Sequence, residues 1–249
     1  MELLNSLVGQ INDILWSYVL IILLIGAGII FTIRTKFVQI RFIKEMIRLI
    51  AGDAGNKMEG QQISSFQAFC VSTASRVGVG NIAGIAIAVV LGGPGAIFWM
   101  WIIAILGSAT GFVESTLAQI YKVPRTDSNG YLGGPAYYIN NALHSPKTAV
   151  FFAILISVTY GLIFNSVQSN TISLSLQTAF NFDATMIGIV IAVFSGIVVF
   201  GGLHRIAKVT EYMVPIMAGI YLLIAFAITI YNISELPTVL SVIFKDAWG

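Results

Sequence analysis

Long apolar runs separated by short polar stretches organise this chain. The first run covers residues 14–33 and is almost purely aliphatic, with Trp16 and Tyr18 near its start as interfacial anchors. Residues 34–64 change period. Phe37, Ile40, Ile43, Ile47 and Ile50 recur at three- and four-residue intervals among Arg34, Lys36, Arg41, Lys44, Arg48 and Lys57. That pattern predicts an amphipathic helix on the membrane surface, ended by Gly52-Asp53-Ala54-Gly55. Further apolar runs follow at 65–91, 96–121, 149–180, 185–200 and 212–231. Gly92-Gly93-Pro94-Gly95 forms a tight turn between the first two of these. The stretch 122–148 is a polar loop in which Pro135 starts a short helix, and residues 203–209 form a basic loop.

The second run is the unusual one. Ser72-Thr73-Ala74-Ser75-Arg76-Val77-Gly78-Val79-Gly80-Asn81 interrupts it at the depth of the bilayer centre. Each Gly costs a helix roughly 1 kcal/mol relative to Ala. Backbone leaves a helix at that depth only where protein or a polar cavity satisfies its N–H and C=O groups. A Gly-rich polar break in an apolar span is the best sequence pointer to a transporter's binding site. Carbonyls freed near Ala74 suit a hard cation such as Na⁺, with the Asn81 side-chain oxygen as a further ligand. The N–H groups of Gly78, Gly80 and Asn81 suit a carboxylate at the positive end of the following half-helix. The plainer alternative is close helix packing through Gly80-x-x-x-Gly84.

Two further polar features sit inside apolar runs. Arg76 requires a partner or a cavity, and Glu114, in the third run, is the acidic residue expected deep in a span. A gating or structural ion pair between them is one expectation. The fourth run is polar in its second half: Asn165, Ser166, Gln168, Ser169 and Asn170. Amides there can hold a substrate's amino or carboxyl group, with Phe164 or Tyr160 closing the pocket, or they can bond between helices.

Composition agrees with a membrane protein. Charged residues are 10% of the 249, hydrophobic residues 57%, and mean hydropathy is +0.89. The net charge of +2 gives no reason to expect nucleic acid. Cys70 is the single cysteine, so an internal disulfide is excluded, and His144 and His204 lack metal-ligand spacing. No catalytic constellation is present, so an enzyme is not expected. The N-terminus lacks a basic region, and the first run is expected to remain as a span. Eleven of the 13 Lys and Arg lie in 34–64, 122–148 and 203–209. That asymmetry puts these loops in the cytoplasm and the N-terminus outside the plasma (inner) membrane.

The block Gly92-Gly93-Pro94-Gly95-Ala96-Ile97-Phe98-Trp99-Met100-Trp101-Ile102-Ile103-Ala104-Ile105-Leu106-Gly107 resembles the signature of the alanine/glycine:cation symporters, or sodium:alanine symporters. Ser75 to Gly84, Gly133-Gly134-Pro135-Ala136-Tyr137-Tyr138 and Asn165-Ser166-Val167-Gln168 also resemble blocks of that family. The resemblance implies an all-α integral membrane fold of the LeuT type, a five-plus-five inverted repeat. Six transmembrane helices are then expected here: a peripheral one at 14–33 and a first five-helix repeat over 65–232, all in one membrane domain.

The resemblance also implies functional assignments. The carbonyls of Ala74 and Val77 would face one sodium ion. The Arg76 carbonyl and the Asn81 side chain would fall where some relatives hold a second. Gly78 and Gly80 would meet the substrate carboxylate, and Asn165 and Gln168 would face the substrate; Ser75 and Phe164 are further substrate-binding candidates. The expected function is import of a small neutral amino acid, alanine or glycine, coupled to Na⁺, with H⁺ as the alternative ion. Finally, the resemblance implies a second repeat outside this chain, without which transport is not expected. The alternatives are a truncated, non-transporting membrane fragment and one subunit of a split transporter.

Overall fold

A computed structural model describes residues 2–52, 63–126 and 130–249, with side chains from residue 5. Helix α1 runs over residues 2–34, and its span is Asn5–Arg34. It starts well before the expected boundary at residue 14, because Leu7, Val8 and Ile11 continue the apolar face at helical spacing. One π-turn, Leu15–Val19, interrupts it. Gly28 is buried against α6 (Ala96–Ile120), and a Cβ there would lie 2.8 Å from Leu106 Cβ. The first span is therefore docked tightly along one side.

Lys36 and Phe37 take positive φ values of 53° and 55°, which ends α1 and turns the chain sharply. Two short helices follow, α2 (Val38–Arg41) and α3 (Ile43–Gly52). The amphipathic segment is thus helical where described, in two pieces. Its expected end at Asp53 to Gly55, and Lys57, lie outside the described residues. The next helix, α4 (Ser65–Arg76), opens on a capping box. Gln67 N donates to Ser64 Oγ at 3.1 Å and Ser64 N donates to Gln67 Oε1 at 3.3 Å, so two end donors are satisfied reciprocally.

The second apolar run is broken, as its glycines predict. Helices α4 and α5 (Gly80–Gly92) meet at a bend of 59°. Gly93, at φ +74°, begins the turn into α6. The expected polar loop after α6 contains a small hairpin, β1 (Val123–Pro124) against β2 (Tyr131–Leu132), in the register Val123 to Leu132. Lys122 lies 4.5 Å over the Tyr131 ring and fixes one edge of it. Helix α7 (Pro135–Leu143) starts at the expected proline. His144, at φ 50°, separates it from α8 (Pro146–Phe180), which carries a π-turn at Thr159–Phe164.

Asp183 caps α9 (Ala184–Val199) by accepting from Met186 N at 2.9 Å. Helix α10 (Gly202–Tyr231) corrects the expectation of a basic loop over 203–209. Gly202 makes the turn at φ +71°, and the helix then starts directly, because nothing from His204 to Lys208 breaks it. Its 30 residues include Pro215. A last helix, α11 (Leu236–Asp246), packs against α6.

Among the described residues, four helices are long and apolar enough to cross a membrane, and the bent pair α4–α5 makes a fifth span. Six spans are expected from the apolar runs. The remaining run is α9, whose 16 residues fall short of the ~20 that a full crossing needs. Large apolar side chains face outward throughout, with Phe200 94% and Tyr231 88% exposed. A surface of that kind is stable in lipid, and in water it would aggregate. The described chain is helical and multi-pass.

Candidate substrate and cation site at the broken helix

The break between α4 and α5 is built by rerouted backbone donors. In an α-helix the N–H of residue 78 would donate to the carbonyl of residue 74, and that of 79 to 75. Val77 is extended instead, at φ −95° and ψ 106°. Gly78 N donates to Asn81 Oδ1 at 3.2 Å, and Val79 N donates to Gln168 Oε1 at 3.1 Å. Asn81 N turns to Gly78 O at 3.0 Å, one residue short of its helical partner Val77. The carbonyls of Ala74 and Ser75 thus lose the donors that a straight helix would supply. Freed carbonyls are hard oxygen ligands of the kind that suits Na⁺.

Gln168 reaches the break from the middle of α8. Contact is close because residue 78 is glycine: a Cβ there would stand 2.5 Å from Gln168 Nε2. Gly80 meets no such neighbour, since a Cβ there would have nothing within 4 Å. The site therefore joins Gly78, Val79, Asn81 and Gln168, half-buried at Gly78, Val79 and Gln168 and exposed at Asn81. Two amide oxygens, Asn81 Oδ1 and Gln168 Oε1, satisfy two adjacent N–H groups. Adjacent N–H groups of that kind suit the two oxygens of a carboxylate.

Other expected site residues are placed differently. Ser75 Oγ donates back to Ser72 O at 2.8 Å. On α8, Asn165 Nδ2 donates to Gly161 O of its own helix at 3.2 Å, and Phe164 stacks on Tyr160 at 5.0 Å between ring centroids. These two rings are exposed and lie on α8, Phe164 one turn before Gln168. Arg76 Nη1 donates to Ser72 Oγ. Its Nη2 lies over Gly111 of α6, 4.0 Å from where a Cβ would stand. Among the described residues, Arg76 and Glu114 form no ion pair with one another.

Glu114 acts elsewhere. Tyr138 of α7 has its phenol pKa raised, first by burial and then by the Glu114 charge. Both causes disfavour the phenolate. The fold therefore holds the neutral phenol, and this contribution to stability is present below the pKa of an unfolded tyrosine, about 10. It is lost as pH rises through the folded value. We expect Glu114→Gln to lower the Tyr138 pKa. Spectrophotometric titration of the chain with and without Tyr138→Phe isolates this residue; an unmoved value removes the assignment.

Two polar residues were not anticipated as partners. Gln67 Nε2 donates to Glu211 Oε2 of α10 at 2.9 Å. The capping-box spacing Ser64-x-x-Gln67 is visible in the sequence. Glu211 lies at the border of an expected loop, and nothing local marks it as facing a helix.

A broken span completed by an amide from a second helix is a feature that marks binding sites in secondary transporters. Comparison with known proteins agrees: the Sodium:alanine symporter family matches residues 1–249, and the chain belongs to it. It is 52% identical over 248 residues to the "Probable sodium/glutamine symporter GlnT" of Bacillus subtilis (strain 168), covering 100% of this chain and 51% of that protein. It is 49% identical over 246 residues to the "Amino-acid carrier protein AlsT" of the same organism, covering 98% and 51%. It is 36% identical over 249 residues to the "Sodium/alanine symporter AgcS" of Methanococcus maripaludis, covering 98% and 54%. The chain spans about half the length of these curated relatives. The family is one of transporters, not enzymes.

Proposed function

We propose that this chain contributes one side of the binding site of a plasma-membrane symporter that imports a small neutral amino acid, alanine or glycine, with Na⁺. The observation that carries the reading is the pair of adjacent N–H groups at Gly78 and Val79, each satisfied by a side-chain amide. A substrate carboxylate takes these two donors and displaces the Asn81 and Gln168 oxygens. Released, the Gln168 amide is free to turn toward the bound amino acid. Ala74 and Val77 carbonyls with the Asn81 oxygen hold the sodium ion beside it, and the two opposite charges stabilise one another. That proximity supplies the coupling, because each ligand lowers the cost of desolvating the other. Ser75, Gly80, Phe164 and Asn165 belong to the wider substrate-binding surface, and Arg76, beside the break, is its gating residue.

The remaining ligands come from a second five-helix repeat, arranged with this one as a LeuT-type inverted pair. The polar, exposed stretch of α8 and the half-length match to relatives support that partner. The N-terminus lies outside, as the Lys and Arg distribution favours. The relative named for glutamine makes the side-chain size of the substrate an open contrast that one assay resolves.

The test is sodium-dependent uptake of labelled alanine into vesicles, with unlabelled glycine and glutamine as competitors. The chain alone is compared with a version carrying the second repeat. Uptake is expected only with both halves. Gln168→Ala and Asn81→Ala are each expected to reduce it about tenfold or more, the value of a hydrogen bond to a charged group. Uptake by the chain alone overturns the two-repeat reading, and wild-type kinetics in both variants remove these residues from the site. Stronger competition by glutamine than by glycine overturns the small-substrate reading.

A further inference from the structure

We infer that Glu211 is a positioning residue: its carboxylate latches the half-helix α4 against α10 through Gln67, and so sets where the freed carbonyls at the break stand. The inference rests on the transport reading for its consequence at the site, but the latch itself does not.

The geometry is one connected network. Gln67 Oε1 accepts from Ser64 N at 3.3 Å, and Gln67 Nε2 donates to Glu211 Oε2 at 2.9 Å. The amide orientation is forced by both ends. Turned over, the NH₂ would face the Ser64 N–H, and the oxygen would face a carboxylate. Gln67 thus serves the first turn of its own helix and the neighbouring helix together. The bond lies across the most extensive helix contact among the described residues, α4 on α10. Around it the interface is tight and apolar: Cys70 is 0% exposed, Ala207 1% and Val214 4%. Cys70 follows Gln67 by three residues, while Ala207 and Val214 flank Glu211 by four and three. Both polar groups therefore lie on the buried stripes of their helices.

A carboxylate in such a stripe is kept only where it is bonded, and a bond to a charged group is directional. A purely apolar seam allows α4 to slide along α10, whereas the Gln67–Glu211 bond fixes its register. The other end of α4 is the break at residues 77–79, which the 59° bend makes the natural hinge. Ala74 lies two turns along α4 from Gln67, so a shift at Glu211 carries through a rigid helix to the carbonyl of Ala74. Loss of the bond frees α4 to swing about the hinge, while α5 stays anchored by the turn at Gly93 to Gly95.

Cys70 provides the readout, because it is the single cysteine in the chain and is buried in this seam. Maleimide labelling of Cys70 is followed in native membranes containing the chain, with no substrate present. Gln67→Ala and Glu211→Ala are expected each to speed labelling about tenfold, the shift that a hydrogen bond to a charged group supports. The exchanged pair Gln67→Glu with Glu211→Gln keeps an acceptor for Ser64 N and a donor–acceptor bond between the helices. It is expected to return labelling to within about twofold of wild type, as a direct coupling requires. Circular dichroism of each purified variant separates a moved helix from an unfolded chain. Wild-type labelling rates in both single variants overturn the latch. So does an exchanged pair that labels as fast as the singles, or fast labelling that accompanies lost helix content. Uptake plays no part in this readout, so a failed latch and a failed transport reading give different results.

Discussion

Gly78→Ala is expected to destabilise the chain by about 2 kcal/mol, the cost of an unsatisfied backbone donor, while Gly80→Ala is tolerated or mildly stabilising. The two glycines are two positions apart and alike in sequence context, but their surroundings differ. A Cβ on residue 78 would stand 2.5 Å from Gln168 Nε2 and 3.4 Å from its Cδ. The Gln168 amide must turn aside, and the Val79 N–H then loses its acceptor. A Cβ on residue 80 meets nothing within 4 Å, and alanine improves helix propensity there by up to ~1 kcal/mol. Thermal unfolding in detergent, followed by circular dichroism, checks the contrast. Equal midpoints for the two variants would refute the role of Gly78 as the opening through which Gln168 reaches the break.

The second large effect lies at the opposite end of α5. Gly95 is buried under the C-terminal segment, and a Cβ on it would come within 2.5 Å of Ala247 N and 2.6 Å of Asp246 C. Those are backbone atoms and cannot turn aside like a flexible side chain. Gly95→Ala should therefore lift the end of α11 from the turn. Three interactions go with it: Gly95 N to Asp246 Oδ2 at 2.7 Å, Trp99 Nε1 to Ala247 O at 3.1 Å, and the ring cluster of Phe98, Trp99, Phe244 and Trp248. The summed loss is about 3 kcal/mol. Tryptophan emission reports it directly, since Trp99 and Trp248 lie 5.8 Å apart in the docked state. An unchanged spectrum and unchanged proteolysis of the C-terminal segment would show that α11 is not held by this turn.

Much of this was legible in the chain itself. The apolar runs locate the helices because lipid demands continuous apolar faces and internal backbone bonding. The break at Gly78 to Asn81 is legible because two glycines and a run of polar residues at mid-span weaken a continuous helix there. Gln168 was marked by its polarity within an apolar run. Boundaries were less secure where no residue stops a helix, as at Leu7 to Ile11 and at His204 to Lys208. Both stretches carry enough polarity to read as loops, yet the second contains no breaker and the first only Gly9, whose cost of about 1 kcal/mol the surrounding apolar positions outweigh.

The sequence alone determines that this is a multi-pass helical membrane protein with one broken span, since both follow from hydrophobic length and local backbone preference. Only the tertiary structure decides which polar group meets which. Gln168 lies 89 residues from Val79 and Glu211 lies 144 from Gln67. Asn165, equally polar, bonds its own helix instead. The reason is rotational. Residues on one helix differ by about 100° in direction per position, and only packing against neighbours fixes which direction faces the break. The broken helix is therefore written in the sequence, and its partners are chosen by how α8 and α10 are turned against it.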